Sequence, residues 1–214
     1  MPKYVIIGLI VVIGTFLIMN YWPKLTDQTK NRILMVIFGI FFISIFVLLF
    51  LLMFWGKLID ILSILVAGIF SCIILDILGY LLKLLGIPEP SWGIVGRWTY
   101  YMLKNGSFYN PNIAQMQTIK YEVLLGWIFH YYVSICWAVI YYFFFIQIGL
   151  KMTYFSGFIF GALTTLAPLL IFLPFTGQGI LAMNTDIPFK TSFMFLIRHS
   201  IYGIAMYEGF RWFT

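Results

Sequence analysis

The stretch at roughly 33–55 carries Ser44 as its only polar side chain. A helix rising about 1.5 Å per residue needs about 20 apolar residues to cross hydrocarbon. Backbone polar groups at that depth must be satisfied within the segment, so a run of this kind admits a helix and little else. Similar runs recur at roughly 4–22, 58–85, 122–146, 153–174 and 191–213. Six such helices in 214 residues leave no water-exposed stretch long enough for a folded soluble domain. The expected fold class is therefore all-α, a polytopic helical membrane protein with about six transmembrane helices. A transmembrane barrel is excluded, because barrels are built from short segments of alternating polarity.

Composition agrees. The chain is 63% hydrophobic and 9% charged, with a mean hydropathy of +1.01. Aromatic rings gather at expected span ends, at Tyr21, Trp22, Trp55, Tyr100, Tyr101 and Trp212, where amphipathic rings suit the headgroup layer. The net charge of +6 comes from Lys and Arg scattered singly, which excludes a nucleic-acid surface and reads as topology-setting charge. Cys72 and Cys136 both fall inside expected spans and read as small buried residues. Neither a disulfide framework, a metal site nor a cofactor is expected from them. The first run follows Met1-Pro-Lys3 and is succeeded by Asn20-Tyr-Trp-Pro23, not by a small-residue cleavage site, so it reads as a retained span.

Basic residues set the expected orientation. Lys24, Lys30 and Arg32 lie in the loop at 23–32, Lys83, Arg97, Lys104 and Lys120 in or beside the loop at 86–120, and Lys190 in the loop at 175–190. Lys3, Lys57, Lys151 and Arg211 lie on the other side. The bias places the three loops in the cytoplasm and both termini outside. Two packing cues stand out. Gly157 and Gly161 form a small-xxx-small pair suited to a helix contact within the bundle, and Pro168 and Pro174 predict a kink or unwound end in the fifth span.

Ionisable groups inside apolar runs are costly and mark a site or a structural ion pair. Here they are Asp76, His130, His199 and Arg198, with Glu122 at a span edge. His130 follows Glu122 by eight residues, about 12 Å of helix. His199 follows Lys190 by nine residues, and Asp76 precedes Leu85 by nine. Alternating helix direction then puts Asp76, His130 and His199 in one layer. A carboxylate and two imidazoles can relay protons, hold a metal or bind a polar ligand group. The histidines lack the local spacing of a metal motif, so no metal is expected. A satisfied interhelical network is the competing reading, with Asp76 paired to Arg198 and each His bonded to a carbonyl or to Ser134. Arg198 can also snorkel toward the loop side, and Glu122 can serve as a favourable charge at a helix N-terminus. Arg97 and Gln178 are placed to close the layer from the loops. The Gly-rich loops carry no nucleotide-binding spacing and no catalytic motif.

Several of these residues carry a resemblance. Asp76, Val95-Gly-Arg-Trp98, Glu122, Gly126-Trp127, His130-Tyr131, Leu166-Ala-Pro168, Pro174, Gly177, Gly179, His199, Gly203 and Tyr207 follow one another as in a bacterial membrane-protein family catalogued as domain of unknown function 2938. The likeness runs from about residue 58 to the end of the chain. It implies a four-span core at 58–214, with residues 1–57 adding two peripheral spans. It implies no activity. Where the family pattern has His-Asp in the long loop this chain has Asn110-Pro111, and Leu173-Pro174 stands where Gln-Pro is usual.

The function expected is an integral membrane protein of the bacterial inner membrane with a one-sided polar pocket for a small ligand, a lipid or a proton. The alternatives are an accessory or assembly subunit with a purely structural network, and a membrane-embedded enzyme or small transporter. The partners implied are the lipid bilayer and another membrane protein or a second copy; none is a nucleic acid.

Overall fold

The computed structural model describes residue 21, residues 24–30, 32–33 and 36, residues 58–84 and 86, and residues 91–213. The first two expected spans, and the expectation that they pack at the periphery, lie outside the described residues. The described chain is helical, with no strand among the described residues.

Helix α1 (Leu58–Leu84) is the first expected core span. Ile64, Ala67, Ser71, Cys72 and Leu75 are buried along one stripe at helical spacing, while Leu62, Leu65, Ile69, Ile73 and Ile77 stay exposed on the opposite face. An exposed face this apolar suits hydrocarbon as its solvent. Helix α2 (Trp92–Asn105) lies where the sequence suggested an irregular loop. The Ser91 side chain accepts the Ile94 N–H at its start, and Gly106 closes it at φ 62° with its N–H on Met102 O. This helix is amphipathic, burying Val95, Arg97, Trp98 and Met102.

Helix α3 (Glu122–Tyr142) continues into a π-helical turn at Phe143–Gln147. Helix α4 (Tyr154–Thr164) begins with a Thr153/Ser156 capping box. It is followed by a π-helical segment at Pro168–Phe172 and the short helical turn α5 (Leu173–Phe175). Proline removes an intrahelical donor and crowds the preceding turn, so the register change at Pro168 is the expected disruption. Helix α6 (Pro188–Arg211) completes the set. Among the described residues three stretches, Ile59–Leu84, Glu122–Phe145 and Tyr154–Phe175, are long and apolar enough to cross a membrane. Helix α6, expected as the last span, is not among them; Lys190, Arg198, His199, Glu208 and Arg211 lower its hydropathy.

Helix α3 packs against α1 and α2, and α6 packs against α1 and α4. The α4–α6 crossing is set by glycine. A Cβ on Gly161 would lie 2.0 Å from His199 O, and one on Gly203 would lie 2.1 Å from Gly157 O. The Gly157/Gly161 pair thus serves a contact within the bundle. The main core joins Ile64, Ala67, Val139, Tyr141, Met206 and Phe210, with Tyr141 stacked on Phe210 at 5.3 Å. A second cluster of Trp98, Met102, Ile113 and Phe175 holds α2 and its following loop against the start of the 175–190 segment.

Three connecting regions meet at one end. Lys30 Nζ lies 5.0 Å from the Tyr109 ring, Asn110 N–H donates to Phe175 O at 3.1 Å, and Gly177 packs on Pro111 O.

Candidate functional site

Two polar constellations lie on helix α3. The first is at its start. Arg97, on the buried face of α2, forks onto Glu122: Nε donates to Oε2 at 2.9 Å and Nη2 donates to Oε1 at 3.0 Å. Its Nη1 reaches the carbonyls of Ile113, Ala114 and Met116 at 3.2, 3.1 and 2.7 Å. Glu122 Oε2 also accepts the Ile119 N–H at 3.1 Å. The bidentate carboxylate holds the guanidinium above its already high pKa, the hydrogen bonds outweighing the cost of burial. Close approach makes this fork possible, since a Cβ on Gly96 would lie 1.7 Å from Glu122 O, and one on Gly126 would lie 2.1 Å from Trp92 O. Trp98 fills the space behind, 1% exposed, with Nε1 donating to Phe108 O at 2.7 Å. The Val95-Gly-Arg-Trp98 motif is therefore the joint that fixes α2 and its loop to α3, and Arg97 is committed there.

The second constellation lies about two turns further along α3. His130 Nε2 sits 3.2 Å from Asp76 Oδ1 of α1. The distance is that of an ion pair, but the approach is not aligned as a hydrogen bond, and neither atom finds another such partner among the described residues. The Asp76 side chain is 11% exposed and that of His130 is 20%, so the pair is covered without being sealed. Trp92 of α2 lies over the imidazole at 4.5 Å between ring centroids, and Trp127 lies at 6.5 Å. Cys72, one helical turn before Asp76, brings its Sγ to 4.0 Å from Asp76 Oδ2. Tyr131 lies beside the same carboxylate.

A chain of satisfied groups continues along the same helix faces. Ser134 Oγ donates to Gly68 O at 2.7 Å and lies 3.0 Å from Tyr202 Oη of α6. His199 sits on α6, with Nδ1 2.9 Å from Phe195 O and its ring 6.2 Å from Tyr202. Among the described residues no hydrogen bond or ion pair joins His199 to Asp76 or His130. Asp76 pairs with His130, and Arg198 is buried on α6 one residue before His199. Gln178 Nε2 donates to Thr176 Oγ1 at 3.2 Å, within its own loop.

Cys72, which reads from sequence as a small buried residue, stands beside this pair. Its signal was the four-residue spacing to Asp76, which puts both side chains on one helix face. The open groove of about 700 Å³ at this end of the bundle lies elsewhere, between Tyr101, Lys104, Lys120, Tyr121 and Leu124. Neither Asp76 nor His130 lines it. The titratable chemistry therefore decides the candidate site, and the groove does not.

A protein-family model described as "Protein of unknown function (DUF2938)" matches residues 65–211. Comparison with curated proteins and with solved structures finds no match.

Proposed function

The chain belongs to this DUF2938 family, and we propose that its function is carried by the Asp76–His130 pair, as a one-sided site that receives a small polar ligand or a proton. The contact at 3.2 Å between two ionisable side chains from two apolar helices carries the reading. Placing such groups within a bilayer is costly unless they are paired or used. Here they are paired at poor hydrogen-bond alignment, which leaves lone-pair and donor capacity for a third group. Trp92 and Trp127 supply an apolar wall on one side.

The Lys/Arg bias supports a cytoplasmic-membrane protein with the α2 side facing the cytoplasm. The meeting of Lys30, Tyr109 and Phe175–Gly177 at one end supports the three basic loops sharing that side. The bacterial setting rests on the family resemblance.

A second reading has its own observation. Ser134, Gly68 and Tyr202 form a fully bonded polar seam next to the pair, as expected of glue between membrane helices in an accessory subunit. Aqueous access separates the two. Membrane vesicles washed with a chelator are treated with a water-soluble imidazole-acylating reagent and the two histidines are compared by peptide mass spectrometry. The site reading expects His130 to react. Complete protection of His130, in vesicles open to reagent on both faces, would leave the structural seam as the better account.

A further inference from the structure

We propose that Cys72, Asp76 and His130 form a binding site for a single divalent transition-metal ion of the zinc class. The inference rests on the site reading above and deepens it, because two of the three ligands are the Asp–His pair itself.

The donor atoms of the three side chains all lie within 4.8 Å of one another. Individual separations are 3.2 Å from His130 Nε2 to Asp76 Oδ1 and 4.0 Å from Cys72 Sγ to Asp76 Oδ2. Zinc binds nitrogen and oxygen at about 2.0–2.2 Å and sulfur at about 2.3 Å, so tetrahedral neighbours sit roughly 3.3–3.8 Å apart. The observed spacings, measured to the two oxygens of the one carboxylate, lie close to that range. Cys72 and Asp76 project from one face of α1 and His130 meets them from α3, so one ion can draw on both helices.

Bonding and charge agree with the spacing. The Nε2 and Oδ1 atoms are buried with no aligned hydrogen-bond partner among the described residues, which is how ligand atoms look when their bonding direction points at a shared third position. The donor set is a thiol, an imidazole and a carboxylate. Thiolate and imidazole select zinc, copper or cobalt over magnesium and calcium. On binding, the Cys72 thiol gives its proton to solvent and its sulfur lone pair to the metal. A thiolate, a carboxylate and a neutral imidazole then balance a divalent ion to zero net charge, the state least costly in a bilayer. Ser134 lies beside Cys72 and Tyr131 beside Asp76, in position to orient those ligands. Three protein ligands leave a fourth position for water or substrate.

The test uses the full chain, purified in detergent, stripped with a chelator and titrated with Co²⁺. One Co²⁺ per chain is expected, with a near-ultraviolet thiolate-to-cobalt band and visible tetrahedral bands, all bleached by Zn²⁺. Cys72→Ser should abolish the charge-transfer band. Asp76→Asn and His130→Gln should weaken binding about tenfold or more, and Cys136→Ser should leave it unchanged. Because a ligand variant can fail to fold, a second measurement uses the unaltered protein: Zn²⁺ should protect Cys72, but not Cys136, from alkylation in partly denaturing detergent. Absence of saturable Co²⁺ absorbance, a band that survives Cys72→Ser, or alkylation of Cys72 indifferent to Zn²⁺ would each overturn the proposal. Should His130 still react with the aqueous reagent while no metal binds, the metal is wrong and the site reading stands. Should neither occur, both fall.

Discussion

Removing the Arg97 guanidinium should loosen the joint between α2 and α3 more than its position outside the apolar spans suggests. Arg97 is 6% exposed and makes two bonds to Glu122 and three to backbone carbonyls. Arg97→Ala leaves the Glu122 carboxylate with the Ile119 N–H as its remaining bond among the described residues, and strips the donor from Ile113, Ala114 and Met116. Breaking a buried pair by deleting one partner costs about 3–5 kcal/mol. For a chain of this size each kcal/mol lowers Tm by about 2–4 °C, so the fall should be roughly 6–20 °C. Arg97→Lys keeps the charge but cannot span both carboxylate oxygens and three carbonyls, and should still lose about 2 kcal/mol. The double variant Arg97→Met/Glu122→Leu replaces the ion pair with apolar packing and should recover most of the loss. Thermal unfolding in a fixed detergent, followed by tryptophan fluorescence, measures all four proteins. The reasoning fails if Arg97→Ala lies within about 0.5 kcal/mol of the parent, or if the double variant is no more stable than Arg97→Ala.

Gly203→Ala places a Cβ 2.1 Å from Gly157 O, so α4 and α6 must separate, at a cost of about 1–3 kcal/mol or more measured by the same unfolding assay. A double-mutant cycle on Asp76→Asn and His130→Gln should show a coupling of about 0.5–3 kcal/mol, whereas strict additivity would deny the contact. A cysteine introduced at Asn105, just before the Gly106 cap, should react with a membrane-impermeant thiol reagent only in inside-out vesicles. Labelling from outside intact cells would reverse the proposed orientation.

The spans α1 and α3 were legible because continuous apolar runs leave a chain few alternatives. The apolar run at 58–85 became Leu58–Leu84 and that at 122–146 became Glu122–Tyr142 with its π-helical continuation. The helix α2 was not legible in the same way. Its signals were Ser91 and Gly106, a capping pair, hidden in a stretch whose Gly, Pro and Trp content reads as loop. The long-range fork from Arg97 to Glu122 left no local spacing to find, so Arg97 read as a pocket lid and Glu122 as a helix-end charge. The charge-in-oil argument did single out Asp76 and His130, and the alternation of helix direction matched their depth. Depth along a helix says nothing about direction around it, however. His199 is placed in the same layer by rise alone; its Nδ1 lies against its own helix at Phe195 O, while its ring stays within electrostatic reach of His130. Cys72 was passed over because buried cysteines in apolar runs are usually inert; its role depends on Asp76 one turn away and on His130 from another helix.

The central claim is that α1 and α3 bring Asp76 and His130 into contact within the apolar bundle. Solid-state NMR in lipid bilayers tests it directly, with side-chain ¹³C label in aspartate and ¹⁵N label in histidine. The chain has two histidines, and among the described residues only His130 lies in ion-pair contact with an aspartate. A carbon–nitrogen dipolar coupling between the Asp76 carboxyl and the His130 ring should therefore appear, at a strength set by the 3.2 Å contact of Oδ1 and Nε2. It should vanish in His130→Gln and persist in His199→Gln. Absence of that coupling in the parent protein, or its loss in His199→Gln instead, would contradict the account.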